Sequence, residues 1–232
     1  MAAATVHDAA DVYALGSNLA ESSRLRRQSE ELRPEAEALL SRIGLAPGQA
    51  AVDLGCGPSG ILDLLSAAVS PGGRVVGLDA DPRHTAMAVR HARELGLADV
   101  TVVTADARHT GLPPGSFDLV HARTLLVTIP EPAQVVAEMA RLARPGGWIA
   151  SQEPDCEYSL CYPSIAAWDR LHEIFLAGFT RSGADPLIGR RVTALYRDAG
   201  LGDHAVREHL ADPRTLVIPH LLMAVWARKP AS

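Results

Sequence analysis

Residues 51–60 read Ala-Val-Asp-Leu-Gly-Cys-Gly-Pro-Ser-Gly, and this stretch decides the fold. An apolar run ends at a glycine-rich turn, and the pattern Ile-Leu-Asp-Leu-Leu at 61–65 then predicts a helix. Gly55 and Gly57 carry no Cβ atom that would keep a ligand away from the backbone, and glycine tolerates positive φ. The stretch therefore predicts strand, tight turn and helix, the first unit of a doubly wound sheet that binds its ligand at the carboxyl ends of its strands.

Two acidic residues indicate which ligand fits this turn. Asp79 follows the apolar run 75–78, and an acid there suits a ribose with two free hydroxyl groups, in NAD or in an adenosine ligand. Asp53 lies two residues before Gly55, where its charge would repel a pyrophosphate. A ligand with an ammonium and a sulfonium group, such as S-adenosylmethionine (SAM), tolerates that acid. The sequence therefore favours SAM over a dinucleotide.

Several motifs together carry a family resemblance. They are residues 52–57, 77–79, 104–107, 112–120 and 142–147. In this order and at this spacing, across roughly residues 45–153, the chain resembles the class I SAM-dependent methyltransferases, particularly the UbiE-like small-molecule methyltransferases. The resemblance implies an α/β fold, a Rossmann-like, doubly wound, mostly parallel seven-stranded sheet with an N-terminal helical cap and a second cap after the fifth strand.

The chain is expected to form one domain, residues 1–232, with four parts. These are an N-terminal helical cap (1–45), a cofactor-binding core (46–153), a substrate lid (154–185) and a C-terminal helix with an edge strand (186–232). The sequence pattern predicts strands at 50–54, 74–78, 100–104, 117–122 and 147–153, and core helices at 60–69, 82–95 and 132–143.

The C-terminal part is shorter than the resemblance implies. Residues 223–227 predict an edge strand, but 201–216 offer no clear partner for it, because residues 204–210 have helical rather than alternating character. The sequence therefore leaves open whether residues 201–216 supply the missing edge strand. In the lid, an apolar helical stripe is expected to belong to the core, with ligand contact as the alternative: Trp168, Leu171, Ile174, Phe175 and Phe179.

Composition and charge limit the partners and the compartment. The net charge of −5 argues against nucleic acid, because phosphate binding needs clustered Lys and Arg. No apolar run approaches the roughly 20 residues of a membrane span, and the N-terminal residues lack a signal-peptide pattern. Three cysteines make no disulfide framework. We expect a cytoplasmic protein with a small-molecule substrate and neither a nucleic-acid nor a membrane partner, and we leave a homodimer open.

The resemblance implies a set of cofactor-binding residues. They are Asp53, Gly55, Cys56, Gly57, Asp79, Ala80, Asp106, Ala107, Arg24 and Gln28. In this interpretation Asp79 accepts from both ribose hydroxyls and Asp106 accepts from the adenine amino group. Tyr13, Arg24 and Gln28 are candidates to reach the SAM carboxylate or the substrate. The alternatives are capping carboxylates for Asp79 and Asp106, and a solvated helix face for Arg24 and Gln28.

Three residues are candidates for a general base: His121, Glu153 and Asp155. His121 follows the fourth strand, and histidine is a common general base near neutral pH. Glu153 and Asp155 follow the fifth strand, where they would act as a base or orient a cationic acceptor. A buried histidine with satisfied ring nitrogens is the alternative for His121. No metal site is expected, because the spacing of the Cys and His residues is not that of a zinc site.

The predicted function is transfer of a methyl group from SAM to oxygen, carbon or nitrogen of a small molecule, in specialised metabolism. The Asp/Asn-Pro-Pro-Tyr motif of enzymes that methylate amino groups of nucleic acid and protein is absent after the fourth strand, which favours a small acceptor. The main alternative is a cyclase or pericyclase of the same fold that uses SAM without transferring its methyl group. A nicotinamide oxidoreductase and a binding-only protein are further alternatives.

Overall fold

The computed structural model describes residues 19–159, 161–201, 205–209 and 221–230. Its strands are β1 (Ala50–Leu54), β2 (Arg74–Asp79), β3 (Val100–Thr104), β4 (Phe117–Arg123), β5 (Ala143–Asp155), β6 (Ala205–His209) and β7 (Leu221–Arg228). They form one seven-stranded sheet in the order β3-β2-β1-β4-β5-β7-β6. The first five strands are parallel, and β7 is antiparallel to both β5 and β6. The predicted doubly wound α/β fold is confirmed.

The helices are α1 (Leu19–Glu31), α2 (Arg33–Ile43), α3 (Leu62–Val69), α4 (Pro82–Glu94), α5 (Pro132–Leu142), α6 (Ala166–Arg181) and α7 (Val192–Asp198). Short 3₁₀ turns lie at Leu126–Thr128 and Ile188–Arg191. Pro34 lies in the first turn of α2, and Gly44 ends that helix in the left-handed region with φ of 67°. No helix in these described ranges is long and apolar enough to cross a membrane.

The turn after β1 lies at the switch point of the sheet. Strand β1 pairs with β2 on one side and with β4 on the other, so the chain winds outward in both directions from it. Val52 and Leu54 are fully buried and fix the strand in the core, while Asp53 projects to the opposite face. A crevice opens at the carboxyl ends of the strands here, which is where doubly wound sheets bind ligands.

The opposite end of the sheet is tied together by Asp118. Its carboxylate accepts from the Gln49 side-chain amide at 3.1 Å and from the Ala50 backbone N–H at 2.9 Å, just where β1 begins. It also accepts from Arg144 Nε of β5 at 2.6 Å. One carboxylate on β4 therefore fixes the beginnings of both neighbouring strands.

The C-terminal edge of the sheet differs from the expectation. Residues 205–209 form β6, which pairs antiparallel with β7 from Ala205↔Trp226 to His209↔Leu222. The prediction of helical character is therefore wrong for residues 205–209, which supply the edge strand that the sequence left open. The reason is tertiary. One edge of β7 pairs with β5 and the other edge is left open, and hydrogen bonding to this open edge overrides the local helical preference of residues 205–209.

The lid helix α6 also differs from the expectation. Of the predicted apolar stripe, Phe179 is buried and packs edge-on against Phe175 with ring centroids 5.0 Å apart. Leu171 and Ile174 are more than half exposed. The prediction that the whole stripe belongs to the core is therefore wrong, because α6 contacts the body of the domain mainly through its C-terminal turns.

Candidate cofactor and active site

The end of β1 carries a buried polar pair. Asp53 and His121 lie side by side on β1 and β4, and His121 Nδ1 is 2.8 Å from Asp53 Oδ1. Asp53 is 3% exposed and His121 is fully buried. The other carboxylate oxygen of Asp53 accepts weakly from the Ile61 backbone N–H at 3.3 Å. His121 Nε2 lies 3.5 Å from Gln152 Oε1, so the histidine holds Asp53 in place from beneath.

Gly55 and Gly57 form the turn above this pair. Both have positive φ, of 69° and 57°. A Cβ atom on Gly57 would meet nothing within 4 Å, so its backbone faces open space, whereas Gly55 lies against the side chain of Leu125. Cys56 between them is buried, and burial together with the nearby Asp53 charge raises the pKa of its thiol. The cysteine therefore stays neutral and fills space beneath the turn.

Asp79 lies at the carboxyl end of β2, beside the same turn. Its carboxylate accepts from the Gly57 backbone N–H at 2.9 Å and from the Asp81 backbone N–H at 2.9 Å. His84 of α4 lies beneath it, with Nδ1 at 3.5 Å from Asp79 Oδ1, and this carboxylate raises the pKa of His84. Ala80 next to it is exposed. The structure thus brings Asp53, Asp79 and the glycine turn together, as predicted.

Asp106 and Ala107 follow β3, further along the same edge. Asp106 pairs with Arg108, whose Nη2 lies 2.7 Å away, and this hydrogen bond lowers the pKa of Asp106. It also accepts from the backbone N–H of Arg108 at 2.8 Å. Ala107 is buried against the core. The side chain of Asp106 is thus ionised and keeps about a third of its surface exposed, and its predicted contact with adenine stays a prediction.

The N-terminal cap forms one wall of a cleft over the turn. Leu25, Gln28, Ser29 and Leu32 of the cap face residues 53–60 of the turn and Arg123–Thr124 after β4. The cleft has a volume of about 50 Å³, room for a few water molecules. Gln28 therefore lies in the predicted site. Tyr13 lies outside the described residues.

Arg24 has a different environment from the one expected. Its guanidinium makes a two-pronged pair with Glu21, with Nη2–Oε1 at 2.7 Å and Nε–Oε2 at 2.8 Å. Arg24 is absent from the residues that line the cleft. The arginine that does line it is Arg123, which donates to the Leu32 carbonyl at 3.1 Å and to Ser29 Oγ at 2.8 Å. Sequence patterns gave Ser29 no role, because nothing local distinguishes it from other helical serines.

Glu153 lies deep in the core, fully buried. One oxygen accepts from the backbone N–H groups of Leu125 and Leu126 at 3.1 and 3.0 Å, and the other accepts from Val127 at 3.1 Å. Glu153 therefore holds the 3₁₀ turn after β4 from beneath. Burial raises its pKa to about 7, although the three backbone hydrogen bonds act in the opposite direction.

This pKa predicts a pH-dependent stability. A carboxyl group whose pKa is higher in the folded than in the unfolded protein stabilises the fold below about pH 4.5, and this contribution is lost as the pH rises through about 7. We expect the free energy of unfolding of wild type minus that of Glu153→Gln to fall by about 3 kcal/mol between about pH 4.5 and 8. Urea unfolding across this range measures it.

Glu138 provides the matched control. It is also buried, and its hydrogen bonds to Arg141 and Thr110 lower its pKa to about 2. Its contribution is therefore lost only as the pH falls below about 4.5, and the difference between wild type and Glu138→Gln should be flat from about pH 5 to 8. A flat difference for Glu153→Gln as well would show that Glu153 is ionised throughout.

Asp155 ends β5 and is also fully engaged. It is 1% exposed and pairs with Arg190, whose Nη2 lies 2.9 Å from Oδ1. Arg190 also pairs with Glu157 and stacks over the Tyr158 ring at 5.4 Å. These contacts tie the start of the lid to the second 3₁₀ turn. The partners of His121, Glu153 and Asp155 favour structural roles for all three, and the assignment of a general base stays a prediction.

The comparisons with known proteins identify the family. A methyltransferase-domain family model matches residues 52–151, the part of the chain that holds the glycine turn and both acidic residues. The chain therefore contains a domain of the class I SAM-dependent methyltransferase family. No group of three or more His, Cys, Asp or Glu residues within the described ranges is placed to hold a metal ion.

Relatives of this methyltransferase support that conclusion. It is 32% identical over 173 residues to an uncharacterized 37.1 kDa protein in transposon TN4556 of Streptomyces fradiae, covering 74% of this chain and 49% of that protein. It is 38% identical over 140 residues to nocamycin O-methyltransferase of Saccharothrix syringae, covering 60% of this chain and 48% of that protein. The chain thus spans about half the length of the curated relatives it matches.

The fold of this methyltransferase is also found in solved structures. A SAM-dependent methyltransferase from Aquifex aeolicus superimposes with a TM-score of 0.67 at 21% identity, covering 89% of this chain and 97% of that one. At this identity the likeness supports the fold alone. It agrees with the strand order that places the glycine turn at the switch point.

Proposed function

We propose that this methyltransferase transfers a methyl group from SAM to a small-molecule acceptor. One observation carries the proposal: Asp53 and Asp79 flank an open glycine turn at the switch point, with Gly57 facing empty space. A pyrophosphate would meet the Asp53 charge there, whereas the ammonium and sulfonium of SAM suit the Asp53 carboxylate. SAM therefore fits the residues present.

We infer a role for each predicted cofactor residue at this edge of the sheet. Asp79 would accept from the ribose hydroxyls, and the backbones of Gly55 and Gly57 would approach the methionine portion closely. Asp53 would face the ammonium group, with His121 as the positioning residue that fixes its carboxylate. Ala80 and Ala107 would border the adenosine, with Asp106 near the adenine amino group.

The chemistry requires alignment more than acid–base groups. Bound SAM supplies a methyl group that its sulfonium already activates for in-line displacement. The protein's contribution is to hold the acceptor in line with the methyl carbon and to exclude water, which suits a site covered on one side by α1. A general base is needed only for an acceptor that is protonated at working pH.

The acceptor is proposed to be a small molecule with a nucleophilic oxygen, and specialised metabolism is its proposed context. The name of the nocamycin O-methyltransferase supports oxygen as the acceptor atom. The exposed apolar side chains of α6, Leu171 and Ile174, suit a lid that closes on an apolar acceptor. Carbon and nitrogen acceptors, and a cyclase or pericyclase that leaves the methyl group in place, are the alternatives that the experiment must separate.

The test is product formation with a panel of phenols, carboxylic acids, enols and amines. We expect S-adenosylhomocysteine (SAH) and an acceptor heavier by one methyl group to form in equal amounts, measured by mass spectrometry. Asp79→Ala at the same concentration should form neither. An acceptor converted without SAH would instead support the cyclase alternative.

A further inference from the structure

Arg123 is the one guanidinium that lines the cleft over the glycine turn within the described residues. It ends β4 and is half-buried, and this burial lowers its pKa. Two of its five N–H groups have partners in the described part of the chain, the Leu32 carbonyl and Ser29 Oγ, both in the cap. The guanidinium therefore has further N–H groups that can donate to a ligand in the cleft.

The charges around Arg123 indicate the kind of acceptor. Asp53, Glu35 and Asp63 surround it, and each of these carboxylates raises its pKa against the effect of burial. Arg123 and Asp53 both line the cleft, so the cleft presents one positive and one negative charge. This arrangement is complementary to an amino-acid zwitterion, with the ammonium toward Asp53 and the carboxylate toward Arg123.

Two structural features fix the direction of Arg123. Thr124, the next residue, has a φ of 51°, a left-handed conformation that a β-branched residue rarely adopts. It is held there by its N–H donating to the Gln152 carbonyl at 2.9 Å, and by the three hydrogen bonds of Glu153 to the following turn. A strained backbone that is held on both sides is typical of a ligand-binding position.

Ser29 extends the arrangement to the cofactor turn. Its hydroxyl donates to the Gly60 carbonyl at 2.7 Å and accepts from Arg123, so α1 is attached both to the turn and to the arginine. A group that binds Arg123 therefore also affects how firmly α1 is held. Arg24, by comparison, satisfies Glu21 on its own helix.

We propose that Arg123 binds the carboxylate of the cofactor's methionine portion and, through Ser29 and Leu32, couples that carboxylate to the closure of α1. The proposal rests on the proposed use of SAM. It gives the protein a means of selecting SAM over adenosyl ligands without a carboxylate. Arg123 is in this sense a specificity-determining residue rather than one that acts on the acceptor.

The probes are SAM and decarboxylated SAM, which keeps the adenosine, sulfonium and ammonium groups but lacks the carboxylate. By calorimetry, we expect wild type to bind SAM about 50-fold more tightly than decarboxylated SAM. Arg123→Met should lower the affinity for SAM about 50-fold and leave that for decarboxylated SAM within about threefold. Retained binding of decarboxylated SAM also shows that the variant is folded.

Two further measurements complete the test. Arg27→Met, an exposed arginine of α1, is the matched control and should change neither affinity. Hydrogen exchange in residues 19–31 should be slowed by SAM in wild type, but not by decarboxylated SAM and not in Arg123→Met. Equal affinities of wild type for the two probes, or a loss of SAM binding in Arg24→Met but not in Arg123→Met, would overturn the proposal. Failure of wild type to bind either probe would overturn the proposed function itself.

Discussion

Asp79→Ala is expected to lower the affinity for SAM and SAH roughly 1000-fold, about 4 kcal/mol. In the proposed site the carboxylate at the end of β2 would accept two charge-assisted hydrogen bonds from a ribose, and alanine removes both. It also removes the acceptor of the Gly57 N–H, so the turn loses part of its order before the ligand arrives. Isothermal titration calorimetry with both ligands measures the change.

Asp81→Ala is the control for this prediction. Asp81 lies on the same loop, and its side chain caps α4 by accepting from the Arg83 backbone N–H at 2.8 Å. Its loss should cost about 1 kcal/mol of stability and change the affinity for SAM by less than about threefold. Unchanged affinity in Asp79→Ala would contradict the ribose assignment, and an equal loss in both variants would show that loop order alone matters.

Gly60→Ala is expected to lower the free energy of unfolding by about 4 kcal/mol, because backbone strain from the left-handed conformation and a steric collision of the new Cβ atom add. Gly60 has a φ of 54°, and a Cβ atom there would collide with the Asp53 carboxylate and lie 2.9 Å from the Cys56 carbonyl oxygen. Neither neighbour can move freely, since Asp53 is bonded to His121 and the Cys56 N–H donates to Leu78. Urea unfolding measures the loss.

Gly57→Ala separates the two kinds of strain. Its φ of 57° is close to that of Gly60, but a Cβ atom would meet nothing within 4 Å. We expect a loss of about 1–2 kcal/mol from the left-handed conformation alone. Equal losses in the two variants would show that the Asp53 side chain can move away. Stability is the readout that separates them, because a Cβ atom at either position would also hinder the ligand.

The sequence was sufficient where the site depends on local pattern. The glycine turn and the acids that end β1 and β2 follow from residues close together in the chain, because a parallel sheet brings successive strand ends to one edge. The strand and helix positions between 50 and 153 are confirmed for the same reason, with β5 longer than predicted, from Ala143 to Asp155.

The sequence was not sufficient to predict contacts between segments that are distant in the chain. Ser29 and Arg123 are 94 residues apart, and their hydrogen bond depends on how α1 packs over the turn. Glu153 was predicted as a candidate general base from its place after the fifth predicted strand. Its burial under the 3₁₀ turn could not be predicted, because it depends on the register of β4 and β5. The pairing of β6 depends likewise on the free edge of β7 rather than on its own residues.

The carboxylate of Asp118 has a consequence for how this protein can change. It secures the beginnings of the central strands at the end of the sheet remote from the ligand. Support for the scaffold and the proposed binding site thus lie at separate ends of the same strands. Selection or engineering can therefore vary the loops at the glycine-turn end, and substitutions around Asp118 can restore the stability that such changes cost. An effort to alter specificity should begin by stabilising the Asp118 end of the sheet.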